Sequence, residues 1–284
     1  CTIPTSLTSD PFLPQVRSLT TELGLRGTSL NGQLSWSATA YRTELTDDIL
    51  FVSLGQRNRG VFDTFGKTER DGFELNLKGK FGRHSLRAGY SRLNATFESS
   101  ATIVNQSNSS ADRTQGRVND FEINPGDVIP GLPKHSFRLG WNMDVTSNFT
   151  FGFSMVAQSF VFARGNENNE SEPGGTDLTG NSQIPGLGKR YVGKGRTSGF
   201  AVFNFNANYR VDKNISLFCK VDNIFDRRYT TAGDLAVNPF TSGSFGARDS
   251  SGFNYNSFDW THSLFVGPGA PRAVWFGLNY AFGS

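Results

Sequence analysis

Arg164, Lys189, Arg190, Tyr191 and Trp260 are the residues of this sequence whose types and placing could do chemistry, and that chemistry is binding. Guanidinium and ammonium groups can hold an anionic ligand, and Tyr or Trp rings can stack on a planar ligand or a sugar. Four lie in long polar loops and Arg164 just before one, where loop packing and solubility are the competing roles. Groups for covalent catalysis are not assembled. No G-x-S-x-G or H-E-x-x-H pattern occurs, and His84, His135 and His262 are scattered without ligand spacing. Gly188-x-x-x-x-Gly193-Lys194 imitates part of a phosphate loop, but Gly195 stands where Ser or Thr must hold magnesium. Cys1 and Cys219 are far apart and suggest no metal site; Cys219 falls inside a strand-like run, which disfavours a disulfide between them without closing that alternative. No catalytic residue, metal site or cofactor is expected, and the chain is not read as an enzyme. A net charge of +3 without a block of five like charges gives no reason to expect nucleic acid.

The scaffold behind such residues must be all-β. Aromatics reach 13%, with 26 Phe and 32 Gly, and helix-like Leu/Ile/Met runs are missing. No apolar run of about 18 residues exists, so a membrane-spanning helix is excluded, while a membrane β-barrel stays open because its strands alternate. Alternation is cleanest at the C-terminus. Val274, Phe276, Leu278, Tyr280 and Phe282 form one face; Ala273, Trp275, Gly277, Asn279 and Ala281 form the other. At 203–211, Phe203, Phe205, Ala207, Tyr209 and Val211 alternate with Asn204, Asn206, Asn208 and Arg210. Similar runs occupy 19–26, 73–81, 136–145, 149–161 and 215–221, with less regular ones at 34–52 and 84–98. That makes about nine strands.

A soluble β-sandwich also alternates, but its strands usually run about five to six residues. Several runs here reach the roughly ten residues needed to cross a bilayer at a tilt. The connections sort by length. Short turns near 29–32, 80–83, 146–148 and 212–214 alternate with long polar loops at 53–60, 99–132, 166–197 and 232–270. Short turns on one side and long loops on the other mark an outer-membrane barrel with its long loops outside. The last strand then ends in the periplasm, and residues 1–17 begin outside. Nine antiparallel strands would close with first and last parallel, whereas bacterial single-chain barrels are even-numbered. The chain is therefore expected to be a processed or partial one. A lipid-bearing start at Cys1 is the competing explanation of that residue.

Six stretches resemble the TonB-dependent outer-membrane receptors: "SDPFLPQVRSLTTELGLRG" at 9–27, "YRTELTDDILFV" at 41–52, "FGKTERDGFELNLKG" at 65–79, "NPGDVIPGLPKHSFRLG" at 124–140, "VDNIFDRRYTTAG" at 221–233 and "WFGLNYAF" at 275–282. Their order matches the second half of that family's barrel. The resemblance implies that 1–284 is the C-terminal portion of a 22-stranded barrel, about its last nine strands, with the N-terminal plug and earlier strands absent. It implies a bacterial outer-membrane receptor that actively imports a scarce ligand: a ferric siderophore or other metal chelate first, or a vitamin or sugar. The partners implied are TonB, acting through an N-terminal segment outside this chain, the outer-membrane assembly machinery, the lipid bilayer and the small-molecule ligand. Phe276, Leu278, Tyr280 and Phe282 resemble the terminal signal that the assembly machinery recognises, although Gly283 and Ser284 follow it. A passive porin and a soluble β-sandwich binding module are the alternatives. The Pro-Gly pairs at 125–126 and 130–131 read as turn punctuation, and Asp222-Asn223 with Asp226-Arg227-Arg228 as organisers of a strand's upper end.

Overall fold

The alternating runs fold into one sheet. The structure, a computed structural model, describes residues 13–53, 60–112, 119–175, 189–242 and 248–282. Fifteen strands occur among them: β1 (Arg17–Ser29), β2 (Leu34–Ser53), β3 (Gly60–Phe81), β4 (His84–Phe97), β5 (Ala101–Val104), β6 (Asp120–Ile123), β7 (His135–Asp144), β8 (Phe149–Gln158), β9 (Gly174–Gly175), β10 (Arg190–Val192), β11 (Phe200–Arg210), β12 (Ile215–Asp222), β13 (Thr230–Asn238), β14 (Thr261–Pro268) and β15 (Ala273–Tyr280). Nine of them form an antiparallel wall in the order β1-β2-β3-β4-β7-β8-β11-β12-β15. These are the nine strands read from the sequence. The run read to 161 ends at Gln158, and the run at 73–81 is the lower part of a much longer strand.

Register turns strand alternation into two faces. One cross-strand row joins Gly27, Trp36, Leu77, Ala88, Leu139, Met155 and Phe203. The next joins Thr28, Ser35, Lys78, Arg87, Gly140, Ser154 and Asn204. A slip by one residue on any strand would put its polar set on the apolar face, so the pattern specifies the register. Glu22, Arg26, Glu74 and Arg138 all fall on the polar face, as their sequence phase requires. In a sandwich a second sheet would cover the apolar face; here Leu23 and Phe276 remain 73% and 77% exposed.

Turn chemistry closes the short side. Leu30, Asn31 and Gly32 adopt positive φ between β1 and β2. Gly82, at φ 58, makes the tight turn between β3 and β4, where a Cβ would strain the backbone. Thr146 Oγ1 accepts the N–H groups of Asn148 and Phe149 at 3.2 and 3.0 Å. Asp212 Oδ1 accepts those of Asn214 and Ile215 at 2.7 and 2.9 Å. Such side-chain acceptors stand in for ladder bonds where the chain reverses. Above these turns the apolar face carries rings: Trp141 stacks on Phe153 at 6.1 Å, Phe153 meets Phe205 at 5.2 Å, and Tyr280 meets Phe282 at 4.6 Å. This is the aromatic girdle of a membrane barrel.

β2 and β3 run 20 and 22 residues. At about 3.3 Å per residue, 22 residues reach roughly 70 Å, whereas crossing about 30 Å of hydrocarbon at 45° takes only roughly 42 Å. Their upper halves therefore project beyond the bilayer. The apolar face changes character there: Arg42 pairs with Glu69 at 2.7 Å and Glu44 at 3.3 Å, and Arg92 with Asp71 at 3.7 Å. Exposed pairs add little stability, but charges are affordable only outside hydrocarbon.

The buried core lies on the long-loop side rather than under the wall. Phe65, Phe97, Ile103, Ala111, Phe121 and Ile123 pack together, with Phe65 and Phe97 ring centroids 4.7 Å apart. The β5–β6 hairpin thus docks on the upper ends of β3 and β4.

Candidate ligand-binding site on the outer loops

The long loops are not loose. β13, β14, β10 and β9 form a second sheet above the wall, with β10 parallel to β14 through Tyr191 opposite His262. Segment 163–165 joins its β13 edge. Arg164 donates its N–H to Gly233 O at 2.9 Å and accepts from Leu235 N at 2.9 Å, and bridges Asp234 in parallel.

Behind that edge sits a polar knot. Asn108 Nδ2 donates to Gly165 O and Asn168 Oδ1, both at 3.0 Å, and Asn108 Oδ1 accepts from Ser110 N and Oγ. Asn166 Nδ2 donates to Gly195 O at 2.8 Å and its Oδ1 accepts from Ser171 N at 2.9 Å. Asn108, Asn166 and Asn168 are buried. Burying an amide without partners costs several kcal/mol, on the order of 2–7, so saturation of both amide ends is what permits a core of Asn and Ser. The knot ties loop 99–132 to loop 159–199. Glu167 lies within it. Its Oε1 accepts from Gly165 N at 2.8 Å, while Oε2 is buried without a hydrogen-bond partner. Burial pushes its carboxyl up to about 7, helped by the Asp234 charge and opposed by the Gly165 N–H and Arg164.

A cavity of about 470 Å³ opens beside this edge, lined by Pro130, Gly131, Arg164, Asp234, Phe265 and Val266 among others. Gly131 adopts φ 82, so the second Pro-Gly pair is a turn that shapes the cavity rim; Gly126 of the first pair has φ 97. Burial raises the Asp234 carboxyl pKa against the pull of Arg164. Cation, carboxylate and aromatic ring together could take a ligand that is anionic or planar. Below the cavity, Asn223, at φ 51, anchors the strand end: its Nδ2 donates to Arg227 O and Ala270 O at 2.9 and 3.1 Å, and its Oδ1 accepts Arg227 N at 2.8 Å. That is the organising role read for Asp222-Asn223 and Asp226-Arg227-Arg228.

All five sequence candidates fall on or beside this outer sheet, in unequal settings. Arg164 is exposed and lines the cavity. Arg190 is exposed on β10. Lys189 is half-buried and donates to Asn119 Oδ1 at 2.6 Å. Tyr191 is buried against the His262 ring at 5.2 Å, so it supports the sheet and offers no face to a ligand in this arrangement. Trp260 donates to Asn254 O at 2.6 Å and packs edge-on to Phe253 at 6.0 Å. Asp234, Phe265 and Glu167 were not picked out in the sequence. The Asn-rich run 165–171 was the available signal, and its density of amides reads as a solvated loop until partners from 99–132 are in view. Gly188 lies outside the described residues, and Gly195 donates its N–H to Ser171 O at 3.3 Å, within the knot. Cys219 is free. Among the described residues no group of three or more His, Cys, Asp or Glu is placed to hold a metal. Phe276, Leu278, Tyr280 and Phe282 project from β15 and the residues after it, 49–88% exposed.

Comparison with known proteins gives the same architecture. The family model for the TonB-dependent receptor-like β-barrel matches residues 2–224. The chain is 24% identical over 213 residues to a probable TonB-dependent siderophore receptor, PiuA, of Acinetobacter baumannii, covering 75% of this chain and 23% of that protein. It is 22% identical over 234 residues to the catecholate siderophore receptor Fiu of Escherichia coli, covering 78% and 23%. The crystal structure of PiuA superposes with a TM-score of 0.58 at 17% identity, over 93% of this chain and 28% of that one. The chain thus spans about a quarter of the length of these relatives. With the family model covering most of its length, and the wall and sorted loops matching, the chain belongs to the TonB-dependent receptor β-barrel family of the outer membrane.

Proposed function

We propose that this chain is the C-terminal wall and outer-loop portion of an active outer-membrane receptor that imports a scarce ligand, a ferric siderophore or other metal chelate, with energy delivered through TonB. The observation that carries the reading is the outer sheet: loops contributed by three wall connections, β4–β7, β8–β11 and β12–β15, are held by buried hydrogen bonds into one body with a 470 Å³ cavity at Arg164. A passive pore needs no such fixed surface, whereas capture of a rare ligand does. The relatives named as siderophore receptors support the same ligand class. Catalysis of covalent chemistry forms no part of the reading. The final strand, with Phe276, Leu278, Tyr280 and Phe282 on one face, would present the signal to the assembly machinery. Growth of an otherwise siderophore-deaf strain on iron-limited medium tests it. Expression of the whole receptor should restore growth on one ferric chelate and should fail in a strain lacking TonB. Restoration that persists without TonB would point to a passive pore.

A further inference from the structure

The outer-loop knot saturates its buried amides but not its buried acid. Asn108, Asn166 and Asn168 each use both amide ends, whereas Glu167 leaves Oε2 buried and without a hydrogen-bond partner. A carboxyl with an empty buried oxygen is cheaper neutral than charged. Loops of this chain alone enclose Glu167 to 8% exposure, so any further segment of the receptor can only bury it more.

A tight turn sets this acid behind the cavity. Asn166 donates its N–H to Ala163 O at 3.1 Å, and Gly165 within the turn adopts φ 89. A Cβ there would also run into Asn105 Nδ2 and the Leu235 Cβ, so only Gly fits. The turn leaves Arg164 exposed in the cavity and Glu167 buried behind it. Asp234, opposite Arg164 on β13, lines the same cavity. Arg164 and Asp234 are the charges that act on the Glu167 carboxyl, one favouring its ionisation and the other opposing it. Loop 99–132 brings Asn108 and Ser110 to the knot, and the segment before β11 brings the Gly195 backbone. Glu170 and Glu172 meet the knot through their backbone N–H groups. His262 on β14 is a further titratable group tied to the same loop, through Ser107 at 3.1 Å.

An ionised Glu167 draws on the same guanidinium that an anionic ligand needs. A neutral Glu167 leaves the Arg164 charge to the cavity. We infer that Glu167 is a positioning residue that makes anion capture at the outer cavity proton-linked, taking a proton from solvent as an anionic chelate settles against Arg164. The inference deepens the capture reading of this cavity and rests on it. By linkage, a bound anion makes ionising Glu167 costlier, so affinity is greatest at acid pH and falls as pH rises through the titration of the carboxyl. Coupling of half a pKa unit is about threefold in affinity, and one unit about tenfold. A Glu167 that only holds the loops would change their stability with pH and leave the Kd of the chelate level.

The experiment uses the whole receptor in detergent and two trianionic chelates of chromium(III), the tris-oxalate and the tris-catecholate, whose slow ligand exchange keeps their charge fixed across the pH range. Calorimetric titration should give a Kd at least threefold lower at pH 5.5 than at pH 8.5. At pH 7.5 the heat should differ between HEPES and Tris buffers by the ionisation heat of the protons taken up. Glu167→Gln, which keeps an acceptor for the Gly165 N–H, should bind with the low Kd at every pH and take up no proton. Asp234→Asn removes a charge that opposes ionisation of Glu167, so the midpoint of the dependence should move to lower pH; this variant decides the matter if Glu167→Gln does not fold. A level Kd in the unsubstituted receptor, a dependence that persists in Glu167→Gln, or a midpoint that is unmoved or lost in Asp234→Asn overturns the inference while the capture reading stands. Binding of neither chelate at pH 5.5, or equal binding by Arg164→Gln, removes the capture reading of this cavity and the inference with it.

Discussion

Glu167 accepts the Gly165 N–H at 2.8 Å through one carboxyl oxygen and buries the other unpartnered. This places a proton on the outer-loop knot near neutral pH. The carboxyl moves from its ordinary 4.5 to about 7 because burial disfavours the charge, with Asp234 adding to the effect and Arg164 opposing it. The folded state therefore keeps a proton that the unfolded chain loses between those values. Stability is full below pH 4.5, falls as pH rises through the window, and above 7 is lower by on the order of 3 kcal/mol at about 1.4 per unit. Hydrogen exchange of amides 163–172, corrected for intrinsic rates, should show greater protection at pH 5.5 than at pH 8. Glu167→Gln should flatten that difference; equal protection in the unsubstituted protein would show that the carboxyl does not govern the knot.

Asn108→Ala should loosen the knot more than any surface change. The amide makes four hydrogen bonds, to Gly165 O, Asn168 Oδ1, Ser110 N and Ser110 Oγ. Its loss strands buried partners at about 1–3 kcal/mol each for those left unsatisfied. Protease nicking within 99–132 and 159–199 should accelerate at least tenfold while far-UV circular dichroism of the wall is unchanged.

Arg164→Gln should weaken binding of an anionic chelate at the outer cavity by about tenfold, the size of one charge-assisted hydrogen bond. Arg164→Lys should recover part of it. Titration of the whole receptor with ferric citrate and with ferric tris-catecholate checks this. Full affinity in Arg164→Gln would remove Arg164 from the site and leave the cavity's other residues to carry it.

Ser154 and Met155 are neighbours on β8 with opposite faces, Ser154 in the row of Arg87 and Met155 in the row of Leu139. Met155→Arg should cost about 2–4 kcal/mol in the membrane, and Ser154→Arg close to nothing. Urea titration of the receptor folded in phospholipid vesicles gives both numbers.

The wall was legible in the sequence because its strands obey one rule: Phe203, Phe205 and Ala207 against Asn204, Asn206 and Asn208 can satisfy lipid on one side and water on the other in only one register. The upper halves of β2 and β3 were blurred for a physical reason. Above the bilayer the apolar face no longer needs to be apolar, so Arg42, Glu44, Glu69 and Asp71 break the alternation. The outer sheet could not be read. Tyr191 finds His262 from 71 residues away, and three-residue β10 carries no periodicity of its own. The binding candidates were named by residue type, which brought Arg164 to a cavity but put Tyr191, a buried support, in the same list. Asp234 and Phe265 join the cavity through β13–β14 pairing, which no local pattern announces.

That one face of the wall meets lipid and the other the lumen is the central structural claim behind the barrel reading. Single spin labels at each position of 150–158 in the reconstituted receptor read it directly. Oxygen accessibility should peak at 151, 153, 155 and 157, with the residues between them low in oxygen contact. A uniform profile, or one of opposite phase, would contradict the account.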